Sequence, residues 1–124
     1  MNDVNVVENQ TVDFTGELPV LFKLGLRALI KAKSDSLIIL RGLELELLNS
    51  EHELAAEERN LFLNTDFKEL GLTNEKLRNS YVNDQLSDLK FVIAMKKHEI
   101  ASKKDTIELI NDLIELNELE LQGA

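Results

Sequence analysis

Six large aliphatic residues recur at seven-residue intervals: Leu86, Ile93, Ile100, Ile107, Ile114 and Leu121. An α-helix returns residues seven apart to nearly the same side, so this run reads as one apolar seam on one long helix. Leu40, Leu47, Leu54 and Leu61 repeat with the same period upstream. Two seamed helices in a chain of 124 residues predict an all-α fold, a long antiparallel helical hairpin of the coiled-coil type. A chain of this length is one domain.

The residue mixture agrees with helices. Leu, Glu and Lys are abundant, while Pro occurs once, Trp is absent, and the aromatics are five Phe and one Tyr. A sheet would lack the aromatic and β-branched pairs that stabilise it. There is no cysteine, which removes disulfides and thiolate metal sites and suits a reducing cytoplasm. The first ten residues, MNDVNVVENQ, carry no basic region or apolar core, so no signal peptide is expected there. No apolar run approaches the roughly 20 residues of a membrane span. The net charge of -9 repels phosphate and argues against direct nucleic-acid binding, while leaving room for partners with basic surfaces.

Residues 1–17 are polar and lack helical periodicity. Val4, Val6, Val7, Val12 and Phe14 leave open a short strand or packed arm, beside the reading of a flexible N-terminal arm. Pro19 suits the first turn of a helix, and the pattern predicts a helix over about 19–63. Gly25, Gly42 and the stretch Lys33 to Ser36 are its weak points, and a kink or break near Ser34–Ser36 is left open. Residues 64–72 read as the connector. Asp66 and Glu69 have capping-box spacing, Gly71 fits a left-handed residue after a helical turn, and Thr73 fits the N-cap of the last helix, with Glu75 in its first turn. That helix is expected over about 73–121.

Charge supports the hairpin. Residues 20–43 carry +4, 44–63 carry -5, 73–104 carry +3 and 105–124 carry -6. Folding back near residue 68 sets opposite charges side by side, whereas a parallel pair would set like charges together. The same fold-back pairs Leu47 with Leu89, Leu54 with Val82, Leu43 with Ile93, Leu29 with Ile107, Leu26 with Ile110 and Phe22 with Ile114. It also sets Ser36 opposite Ile100 and Lys33 opposite Lys103, so the middle of the seam is expected to seal poorly.

Catalytic chemistry is hard to find. His52 and His98 are the only histidines, and the hairpin keeps them far apart on solvent-facing sides. No phosphate-binding glycine loop is present. Neither an enzyme nor a metal or other cofactor is expected. Lys96, Lys97, Lys103 and Lys104 form a basic cluster without interleaved aromatics, better suited to facing carboxylates than nucleic acid. The acidic runs around Glu44–Glu58 and Asp105–Glu120 follow helical spacing and read chiefly as solvated faces. Their second reading is a phosphate-like array for a basic protein surface, with Glu51, Glu53, Glu57, Glu58, Asp112 and Glu115 as its residues.

Apolar surface is in surplus. Leu109, Leu113 and Leu116 form a second stripe beside the seam, and Val20, Leu21, Leu24, Ile30, Ile38 and Ile39 exceed what one seam uses. Two helices cannot bury two stripes each. Val20, Leu21, Leu24, Leu109, Leu113 and Leu116 are therefore expected in a self-association surface, with covering by the N-terminal arm as the alternative.

Residues 64–82, NTDFKELGLTNEKLRNSYV, resemble the central segment of small coiled-coil proteins encoded by phages and mobile elements of Gram-positive bacteria. The resemblance covers the turn, with heptad-rich flanks of similar kind, and brings no catalytic residues. It implies a cytoplasmic setting and a role in phage replication, recombination or host interference. The expected function is a non-enzymatic, homo-oligomeric protein acting through protein–protein contacts. The alternative is an acidic, nucleic-acid-mimicking inhibitor of a host nucleic-acid-processing or defence enzyme.

Overall fold

The computed structural model describes residues 24–123. The expected arm over 1–17, the helix start at Pro19, and Val20, Leu21 and Phe22 lie outside these residues. All regular structure among the described residues is helical: α1 (Leu26–Asn64), α2 (Glu75–Gln85) and α3 (Ser87–Gly123). The first and last helices pack together as a helical hairpin. The chain forms two compact units, one drawn from the stretches up to Gly42 and from Glu99 onward, the other from Leu43–His98.

In the first unit Leu24, Leu29 and Ala32 share a core with Ile110 and Leu113, with Ala28, Leu109 and Ile114 packed partly buried against them. Ile100 and Ile107 are buried as the seven-residue period requires. Three polar residues are buried in the same unit: Ser36 on α1 and Lys103 and Thr106 on α3. The Thr106 hydroxyl donates to the Ser102 carbonyl at 3.1 Å, one turn back. The Ser36 hydroxyl has no hydrogen-bond partner among the described residues.

One open reading is answered here and one expectation is corrected. α1 runs without a break through Ser34–Ser36, because Ser36 faces inward and helical packing holds a stretch that propensity alone would leave weak. The middle of the seam is also not poorly sealed, since Ser36 and Lys103 are both buried.

In the second unit Val82, Leu86 and Ile93 are buried, while Leu43, Leu47, Leu54, Leu61 and Leu89 are half-buried. A two-helix contact covers only one side of each seam leucine, which accounts for the partial burial. Lys96 reaches Glu46 at 3.3 Å, as the basic cluster was expected to face carboxylates. An exposed pair of this kind adds little to stability, but it reports the register. The expected fold-back put Glu46 opposite Lys90, and Leu29 opposite Ile107 rather than in the core of Ile110 and Leu113. The ion pair and the shared core both lie in the direction of a turn that centres later than residue 68, since α1 ends at Asn64 and α2 starts at Glu75.

The turn has a defined mechanism. The Asp66 side chain accepts from the Glu69 amide at 3.1 Å. The Leu72 amide donates to the Phe67 carbonyl at 2.8 Å, and the Gly71 amide to the Lys68 carbonyl at 3.1 Å. This pair of bonds is the Schellman pattern, in which the residue donating the inner bond is left-handed. Gly71 is that residue, with φ of 77°, as its position in the sequence predicts.

Three helix boundaries differ from expectation. Leu24 and Gly25, expected inside the first helix, stand before α1, which starts at Leu26. The N-cap of α2 is Asn74, whose side chain accepts from the Leu77 amide at 2.8 Å. Thr73 and Asn74 are both competent caps, and the turn sets Asn74 at the first helical bond. Glu75 does lie in the first turn. The expected single last helix is divided at Leu86, where φ is -97° and ψ 1°. The Leu86 amide is shared between the carbonyls of Val82 and Asn83 at 3.1 and 3.2 Å. The Ser87 hydroxyl donates to the Asp84 carbonyl at 2.9 Å. Asn83, Asp84, Ser87 and Asp88 compete with the helical ladder through their short polar side chains. The Lys90 amide still reaches the Leu86 carbonyl at 2.9 Å, so the ladder resumes at once.

Glycine substitutions should separate turn from helix. Gly42 lies inside α1 with nothing within 4 Å of an added Cβ, so Gly42→Ala should stabilise by about 1 kcal/mol. Gly71→Ala forces an L-residue into left-handed backbone and should destabilise by about 1–2 kcal/mol. Urea midpoints that move in the same direction would contradict this assignment. Ser36→Ala removes a buried hydroxyl without a partner and should stabilise by about 1 kcal/mol in the same assay.

Candidate interaction site at the turn

Three of the chain's few aromatic rings meet where the hairpin turns. Phe67 lies on the turn, between Phe62 of α1 and Tyr81 of α2. Its ring centroid is 6.1 Å from that of Phe62, tilted by 52°, and 6.3 Å from that of Tyr81 at 88°. Tilted and edge-to-face pairs of this kind place positive ring edges on negative faces. The Schellman bonds return the chain at Leu72 and carry Thr73 to the same side.

These residues line an open depression of about 580 Å³, formed by Phe62, Phe67, Leu72 and Thr73 with Lys68 and Arg78. Its floor is apolar, and both charged residues in its lining are cations. A second depression shares Phe62 and is more polar, lined by Glu58, Asn79, Val82, Asn83 and Lys90. There the Lys90 ammonium donates to the Asn83 side-chain oxygen. The first depression has one hydroxyl and neither carboxylate nor imidazole in its lining. Such a lining can hold an apolar group beside an anion.

The residues expected to form a self-association stripe are divided. Leu24 and Leu113 are only 4% and 7% exposed, inside the core of the first unit. Leu109 packs partly buried against that core. This corrects their expected place on an outer surface: positions 109 and 113 turn toward α1 with Ile110. Leu116 does remain outside, at 51% exposure. Val20 and Leu21 are outside the described residues.

The acidic candidates Glu51, Glu53, Glu57 and Glu58 on α1 and Asp112 and Glu115 on α3 are all exposed. His52 and His98 are exposed on separate helices. Among the described residues no group of three or more His, Cys, Asp or Glu is placed to hold a metal ion.

Comparison with protein-family models, curated proteins and solved structures found no match. The heptads do not reveal the depression, because the seam ends where the chain turns. The available signal was the concentration of Phe62, Phe67 and Tyr81 around Gly71 in a chain otherwise poor in aromatics. A double-mutant cycle with Phe67→Leu and Tyr81→Leu should give a coupling of about 0.5–1.5 kcal/mol by chemical denaturation. Additive single effects would show that the two rings do not interact.

Proposed function

We propose that this chain is a non-enzymatic protein that acts through protein–protein contact, including contact with itself. The observation that carries the reading is the turn depression, whose mainly apolar lining with two cations suits a protein segment. Further support comes from apolar residues that the hairpin leaves outside. Leu45 and Leu48 on α1 and Phe91 and Met95 on α3 are between 45% and 66% exposed. Each pair shares one helix face by its three- or four-residue spacing, and grouped apolar exposure commonly marks an interface.

Among the described residues no helix is long and apolar enough to cross a membrane. The resemblance of residues 64–82 to coiled-coil proteins of Gram-positive phages and mobile elements supports a cytoplasmic role of that kind.

A second reading rests on the exposure of Glu51, Glu53, Glu57 and Glu58 within two turns of α1. In that reading the protein is an acidic inhibitor that occupies a basic groove on a nucleic-acid-processing or defence enzyme. Such a partner would be released steeply as salt rises.

Sedimentation velocity across a micromolar concentration series tests the first reading. The wild-type protein should form a homo-oligomer. Phe62→Ser, at a 41% exposed position on the depression wall, should weaken assembly at least tenfold while preserving the far-ultraviolet helical spectrum. A wild-type protein that is monomeric throughout the series would overturn self-association.

A further inference from the structure

We propose that the occupant of the turn depression is the end of α3 from a second copy of this chain. This inference rests on the self-association reading and names the two surfaces that meet. Leu116 and Leu119 are 51% and 57% exposed. At 3.6 residues per turn these two leucines lie side by side, with Glu115 on one flank and Glu120 on the other. Both glutamates are exposed. No lysine or arginine occurs from residue 105 to residue 124, so this face has no cation of its own nearby in sequence.

The depression is the converse surface. Phe62, Phe67 and Leu72 provide an apolar floor, and Lys68 and Arg78 supply two positive charges in a lining without a carboxylate. Two leucines flanked by carboxylates thus match a mainly apolar lining that carries two cations. The match decides among occupants because the chain carries a net charge of -9. Two copies repel wherever acidic faces meet, and a cation-lined apolar surface is where an acidic helix end is drawn in. Arginine adds a planar donor fork that engages a carboxylate through two parallel bonds. The leucines supply the apolar burial that salt does not screen.

Complementation by charge reversal tests the pairing. One variant carries Lys68→Glu with Arg78→Glu, and the other carries Glu115→Lys with Glu120→Lys. Each alone should associate at least tenfold more weakly than wild type by sedimentation velocity, because its two surfaces then carry like charge. An equimolar mixture should regain wild-type association, since each variant's turn then meets a helix end of opposite charge. Leu119→Ser reads the apolar half of the contact and should weaken assembly without changing helicity.

Wild-type association that persists in both charge variants, or a mixture that fails to recover, would overturn this pairing while leaving self-association itself standing. A monomeric wild type would remove both. If a charge variant lost its helical spectrum, single reversals at Arg78 and Glu120 would be mixed in the same way and read by the same criterion.

Discussion

The turn between Asn64 and Glu75 governs the rest of the molecule, because a hairpin has one free parameter once its helices exist: which residue faces which. That parameter is set by a few backbone bonds. The Phe67 and Lys68 carbonyls accept from Leu72 and Gly71, and this geometry is open to an L-residue only at a cost that Gly71 avoids. Each unit has its own cross-helix contact. Glu46 comes to Lys96, and Leu29 joins Ile110 and Leu113 in one core. The aromatic contacts of Phe67 with Phe62 and Tyr81 brace the turn against both helices it joins, so the depression and the register share one origin.

Much of this fold was legible because heptad spacing is a strong and redundant signal. Leu86, Ile93, Ile100 and Ile107 are buried as their period requires, and Gly71 adopts the backbone its position predicts. What escaped was decided by competition among near-equal local choices. Thr73 and Asn74 are both good caps, and tertiary geometry chose Asn74. The polar run from Asn83 to Asp88 permits a helix or a break, and the structure takes a break one residue long at Leu86. The stretch Lys33 to Ser36 looked breakable because propensity ignores packing, and packing prevailed. The pairing was less legible because the seam repeats too regularly to identify its own partner positions.

The candidate site was less legible than the fold for a related reason. Leu109 and Leu113 looked surplus when counted against a single stripe, yet the described core is wide enough to take them in. Only Leu116 of the described stripe stays outside with its neighbours Leu119 and Leu121. Phe62, Lys68 and Arg78 are separated in sequence by a turn and a cap, and their convergence depends on the path of the chain at Gly71. A helix-period analysis sees charges and rings on separate elements. The surface exists only after the chain has reversed.

The buried polar residues of the first unit bear on how firmly one alignment is preferred. A pattern that repeats every seven residues maps onto itself when one helix slides along the other by a heptad, so aliphatic positions alone leave several alignments nearly degenerate. Ser36 breaks that degeneracy. It occupies a fully enclosed small site, and a slide of one heptad would drive Leu29 or Leu43 into the space it fills, while carrying a hydroxyl into a place shaped for leucine. The enclosed hydroxyl costs some stability in the native alignment and costs every shifted alignment more. It acts as an index mark on an otherwise periodic scale, trading a little depth of the energy well for a wider gap to its neighbours.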